Sequence, residues 1–124
     1  MNVMWYVGKF DEATWQFFAS LGLSPRWLRE NMRGMAALEQ RIAYRRELHA
    51  GDVVVVRTGV LEVRDKVIRF VHQMHDAAND DLCAVTELVA AHLDTRERRT
   101  CKLPDQVAES ARNRVAKMQL PWAS

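Results

Sequence analysis

The stretch MNVMWYVGKFDEATWQFFASLGL (residues 1–23) reads as one long helix of unusual breadth. At about 100° per residue, Asn2, Lys9, Gln16 and Ser20 fall on one narrow polar stripe with Glu12 beside it. Val3, Met4, Val7, Phe10, Thr14, Phe17, Phe18 and Leu21 take the opposite side, and Trp5 and Trp15 widen it. Asn2 is suited to cap this helix and Gly22 to end it. A helix so widely apolar is expected to be surrounded by protein over most of its surface. The rest of the chain must therefore supply something that wraps around it.

Residues 22–94 read as a short helix and then a sheet. In LSPRWLREN, Ser24 is a cap and Pro25 stands at the first helical position. The period then changes to two: Leu38, Gln40, Ile42 and Tyr44 alternate with Glu39, Arg41, Ala43 and Arg45, as in a half-buried strand. HAGDVVVVRTGVLEV places a turn at Gly51-Asp52 before a β-branched strand, RDK is a tight connection, and VIRFVHQM is the next strand. LCAVTELVAAHL fits strand or helix by composition. The short, evenly spaced turns before it favour a fourth strand of an antiparallel meander. From Pro104, PDQVAESARNRVAKM carries Val107, Ala111, Val115 and Met118 on one helical face. The expected fold class is α+β, a sheet wrapped around one long helix with a C-terminal helix, in a single domain over residues 1–124. Such a sheet keeps an edge and a face to cover, so a homo-oligomer is expected.

Composition narrows the function classes. With 124 residues, 48% of them hydrophobic, the chain can bury a core. A net charge of +2 with interspersed signs gives no field suited to nucleic acid or an anionic membrane. No run of about 18 apolar residues suggests a span. Cys83 and Cys101 stand apart from any metal-ligand pattern, so a reduced cytoplasmic setting without metal is expected. His49, His72, His75 and His92 lack ligand spacing and read as surface or sheet histidines.

The opening stretch, together with YRRELHAGDVVVVRTGVLEV, KVIRFVHQM and AAHLD, resembles the hotdog-fold acyl-CoA thioesterases of the 4-hydroxybenzoyl-CoA thioesterase type, over Met1 to about Asp94. In that family a strand, an acidic residue and a Gly-His-Met-Asn or Gly-His-Val-Asn turn precede the central helix. Here Met1-Asn2 matches only the end of the motif, so the first strand and its acidic residue are expected upstream of this start, unless the short form is native.

The resemblance implies hydrolysis of a small or medium acyl-CoA thioester without cofactor, by a homodimer or homotetramer. The negative oxygen of the tetrahedral intermediate wants N–H donors at a helix start, which points to Asn2 and Val3, with the Val3 N–H leading. A carboxylate must activate water or attack the carbonyl. One branch of the family carries it two turns into the central helix and uses it across a dimer interface, and that count reaches Asp11. The wheel puts Asp11 among the buried apolar residues, where a paired structural carboxylate is the competing reading. Tyr6 and Glu12 are substrate-side candidates, with core packing and a solvated ion pair as their alternatives. Arg64, Lys66 and Arg69, like Arg45-Arg46, could meet CoA phosphates or simply protect strand edges by charge. A non-catalytic acyl-CoA-binding or assembly module is the alternative function. A dehydratase would want a His near the helix start, and none is there.

Overall fold

The computed structural model describes residues 3–115. The elements run α1 (Val3–Ser20), α2 (Pro25–Glu30), β1 (Arg33–Tyr44), β2 (Val54–Val63), β3 (Val67–Asp76), β4 (Leu82–Asp94), β5 (Arg99–Thr100) and α3 (Asp105–Arg112). Gly22 ends the long helix at a φ of 99°, and the Leu23 N–H returns to the Phe18 carbonyl at 2.8 Å. Ser24 caps α2 by accepting the Trp27 N–H at 3.1 Å, with Pro25 behind it. The segment 82–94 is a strand, as the turn spacing suggests.

The sheet is antiparallel in the order β1-β4-β3-β2, with β5 added to the end of β4. β2, β3 and β4 form the meander. β1 joins from the far side of β4, so β1 and β2 are the two edges. Alternate residues of β3 (Ile68, Phe70, His72, Met74) and of β4 (Ala84, Thr86, Leu88, Ala90) face α1 and are buried. Phe17, Phe18 and Leu21 pack over Ile68, Phe70 and Leu88 at one end, closed by Val107 and Ala111 of α3. Tyr6 and Phe10 pack with Met74, Ala84 and Leu48 at the other. The helix therefore runs with its start toward Val54 and Met74 and its end toward the β2–β3 connection.

Three expectations need correction. The helix beginning after Pro104 stops at Arg112, and Val115 instead makes an isolated parallel bridge to Val60 of β2; Met118 lies outside the described residues, as does the cap expected at Asn2. The alternation of β1 is broken between Ala37 and Glu39 by a bulge, which leaves Leu38 58% exposed. Finally, α1 is less enclosed than its composition implies, with Met4 80% and Trp15 41% exposed.

One polar cluster crosses the core. His72 is fully buried between the rings of Phe10, stacked at 6.0 Å, and Phe70. The Thr14 hydroxyl donates to the Phe10 carbonyl at 3.0 Å, so at 2.8 Å it accepts from His72 Nε2–H. Nδ1 is then the bare nitrogen and accepts from the Thr58 hydroxyl at 2.7 Å. Burial holds the imidazole in its neutral form, with its pKa lowered to about 4. The unfolded chain binds this proton near the ordinary value, so the stabilisation is complete above about pH 6.5 and is lost as pH falls toward about 4, a loss of about 3 kcal/mol. Denaturant midpoints between pH 7 and pH 4 should show this slope, and His72→Gln should flatten it. Thr14→Val, which strands the Nε2–H in an apolar site, should lower stability at pH 7 by about 1–3 kcal/mol.

Candidate active site

The start of α1 carries no acidic side chain in its first turn, and the helix dipole puts its positive end there, at Val3. The loop 45–53 sits against this turn. The Tyr6 hydroxyl donates to the Arg46 carbonyl at 3.3 Å and accepts from the Leu48 N–H at 3.1 Å, while Leu48 is buried beneath it. Asp52 closes the loop on itself by accepting the His49 N–H at 2.7 Å, beside Gly51 at a φ of 93°. Tyr6 thus pins the loop to the helix, with its ring buried.

Cavities flank the helix on both sides. Toward β1 lies a pocket of about 160 Å³, walled by Phe10, Trp15, Phe18 and Phe70, with Thr14, Gln40 and Asp11 as polar members. Toward β2 lies a groove of about 850 Å³ between Trp5, Ala13 and Phe17 of α1 and Val54, Val56, Thr58 and Val60, rimmed by Lys9, Glu12, Gln16 and Asp52. The Thr14–His72–Thr58 cluster links the two beneath α1.

Asp11 is exposed, which overturns its expected burial. The face of α1 that meets the sheet is the strip through Tyr6, Phe10, Phe17, Phe18 and Leu21. Asp11 comes after Phe10 by about 100° and so lies to the side of that strip, at the mouth of the small pocket. Glu12 is a surface residue paired with Lys9 at 3.6 Å, and Lys9 lies 6.0 Å from the Trp5 ring centroid.

The expected phosphate cluster does not join this region. Arg64 pairs with Glu62 at 2.7 Å, and Arg69 with Glu87 at 2.9 Å and Glu62 at 3.6 Å. Arg69 alternates with the buried Ile68 and Phe70, so it points to the sheet face away from α1. Together these arginines hold the Glu62 carboxyl below its usual range, chiefly through its hydrogen bond to Arg64. Lys66 is exposed in the β2–β3 connection, eight residues or roughly 26 Å along β3 from Met74, which packs near the helix start. Among the described cations, Lys9 stands near Trp5 on α1, and Arg46, paired with Asp81 and next to Arg45, lies in the loop that Tyr6 holds.

Asn2 lies outside the described residues. Sequence reasoning missed Asp52 and Thr58 because a turn aspartate and a strand threonine look ordinary. Gln40 was legible as an inward residue, since the two-residue period puts it with Ile42 and Tyr44.

A model of the thioesterase-like superfamily matches residues 1–110. No curated protein matches the chain in sequence. Among solved structures, a hypothetical protein from Staphylococcus aureus in complex with CoA superposes with a TM-score of 0.89 at 19% identity, covering 98% of this chain and 78% of that one. A gentisyl-coenzyme A thioesterase gives 0.79 at 21% identity, with 91% and 87% covered. A 1,4-dihydroxy-2-naphthoyl-CoA thioesterase from Synechocystis gives 0.80 at 15% identity, with 91% and 83% covered. At these identities the likeness establishes the hotdog fold.

Replacing Tyr6 by Phe removes the hydroxyl that two loop backbone groups share. It should cost about 1 kcal/mol of stability and speed amide exchange across residues 46–52 while β3 and β4 stay protected, as measured by hydrogen exchange.

Proposed function

The chain belongs to the thioesterase-like superfamily, and we propose that it hydrolyses a small aromatic acyl-CoA thioester to the free acid and CoA. The observation that carries this reading is the pocket of about 160 Å³ beside α1, walled by four aromatic rings with a carboxylate, Asp11, at its mouth. That volume suits one substituted ring better than a long alkyl chain, and Gln40 and Thr14 offer polar contacts to ring hydroxyls. The gentisyl and dihydroxynaphthoyl thioesters named for two structural neighbours are likewise hydroxylated aromatic acyl groups, the first a single ring.

The Val3 N–H at the helix start is the donor for the oxyanion, and Asp11 activates water or attacks the thioester carbonyl, with thiolate as the leaving group. Eight residues separate the two along α1, roughly 12 Å of helix. A carbonyl held at Val3 is therefore beyond reach of Asp11 in the same chain. Two copies related by a two-fold axis, with their α1 helices side by side and antiparallel, bring the Asp11 of each toward the helix start of the other. An apolar surface suited to that contact is available: Met4, Val7, Trp15, Leu38 and Tyr44 are exposed on α1 and on the edge strand β1. Arg45 and Lys9 stand near the helix start and would meet the CoA phosphates.

Asp11→Asn should lower thiol release from benzoyl-type CoA thioesters by about 10²- to 10⁴-fold with binding largely kept. Val3→Pro removes the donor N–H while proline is accepted at a first helical position, and should be similarly impaired. Mixing the two inactive proteins should restore about a quarter of the original rate, since a random mixture makes half its dimers mixed, each with one intact site. Absence of any restored activity would sink the shared site. Tight CoA-thioester binding with no turnover by the unmodified chain would instead favour a binding module.

A further inference from the structure

Strand pairing places Met35, His92 and Cys101 in one row beneath α2. Met35 of β1 stands opposite His92 of β4. On the other side of β4, Leu93 pairs with Thr100, and the next residue, Cys101, donates its N–H to the His92 carbonyl at 2.9 Å. Directly opposed residues of antiparallel strands share a face, with Cβ atoms about 4.5–5.5 Å apart, so the Cys101 thiol lies beside the His92 ring. Arg33, two residues before Met35 and on the same face, donates from Nη1 to Cys101 Sγ at 2.6 Å, and the same nitrogen lies 4.0 Å from Asp94 Oδ2. Trp27 of α2 covers the imidazole, with its ring centroid 6.3 Å away.

His92 is fully buried, and its Nε2 is the one buried side-chain nitrogen or oxygen among the described residues that finds no hydrogen-bond partner. Burial, with the Arg33 charge added, pushes its pKa down, so the ring is neutral and one of its nitrogens is bare. Nδ1 stands 3.4 Å from Met35 Sδ. A thioether only accepts, so Nδ1 carries the proton and Nε2 holds an unused lone pair. The ring edge that bears Nδ1 faces β1, which turns the edge bearing Nε2 toward Cys101. A buried lone pair beside a thiol is matched by a Lewis acid.

We propose that His92 Nε2 and the Cys101 thiolate together bind one soft monovalent metal ion of the Cu(I) class. Thiolate and imidazole are ligands that such an ion favours. The thiol proton leaves to solvent as the ion binds, and Arg33, already on the sulfur, stabilises the thiolate. Charges then balance, Asp94 against Arg33 and the ion against Cys101. A structural Zn²⁺ takes four ligands, whereas the described residues gather no group of three or more His, Cys, Asp or Glu that holds a metal. Met35 keeps the imidazole in its ligating tautomer from the far side, as a hydrogen-bond acceptor behind a metal-bound His does. Cys101 and Arg33 are both partly exposed, which opens the path by which the ion enters. Met35 also borders the small pocket, yet the site is defined by metal binding and does not rest on the thioester reading.

Titration of the full chain with Cu(I) alone, without oxygen and against a coloured Cu(I) chelator, measures this directly. Expected is one ion per chain, with copper-edge X-ray absorption showing one sulfur and one nitrogen ligand and the His92 Nε2 resonance displaced in nitrogen NMR. Cys101→Ser should lower the affinity by more than about 100-fold, beyond what loss of a supporting partner costs. Met35→Leu, which keeps size and apolarity, should lower it by about 10- to 100-fold, and circular dichroism of each variant checks that the fold is kept. Cys83→Ala should leave the affinity unchanged. Failure of the full chain to bind Cu(I) would overturn the proposal. So would binding that survives Cys101→Ser, binding lost in Cys83→Ala, or an equal affinity for Zn²⁺.

Discussion

One buried imidazole anchors α1 across the sheet, and both sides of the helix take their character from that anchor. Apolar packing alone would allow a helix to slide or roll over a floor of Phe70, Met74 and Leu88, because the hydrophobic effect is non-directional. The bonds from His72 to Thr14 and Thr58 do have direction, and they tie α1, β3 and β2 at one point. An unmade hydrogen bond in that apolar setting is costly. The arrangement therefore specifies helix rotation as well as position.

Helix rotation is what creates the two unlike sides of α1. With Thr14 turned onto His72, Asp11 comes to the β1 side and Glu12 to the β2 side. The β1 side has a small aromatic pocket and exposed apolar neighbours. The β2 side has a longer groove beside an edge strand of the described sheet. A roll by one residue, about 100°, would bury Asp11 among phenylalanines. The pocket at the first side and the groove at the second both depend on this one angle.

Charge is distributed in keeping with that division. The outer sheet face carries a network of Glu62, Arg64, Arg69 and Glu87 over the buried Val71 and Val85. Its arginines are matched by carboxylates. On the helix side Lys9 pairs with Glu12 and the loop residue Arg46 with Asp81, and the loop is held against α1 by Tyr6. A core tyrosine thus takes part in positioning the loop.

Most of the element order was legible in the chain alone: the apolar breadth of residues 2–21, the Gly22 stop, the Ser24-Pro25 start, the two-residue period of residues 38–45 and the β-branched run of β2 are local properties, while β4, ambiguous by composition, was read from the spacing of the turns before it. The family, too, could be read from residues met in order. Beyond reach were properties that depend on which neighbour arrives from far along the chain. A helical wheel shows apolar residues but not which of them a four-stranded floor covers, so Asp11 was placed inside when it stands at the side. Composition shows Arg64, Lys66 and Arg69 together but not that the pleat points Arg69 away from the helix or that Glu87, eighteen residues on, pairs with it. Nor does any local signal reveal that His72, fifty-eight residues from Thr14, completes the polar tie in the core. Periodicity is written in the chain; the facing of each side chain is decided only when distant strands close the sheet and remove water from one side of it.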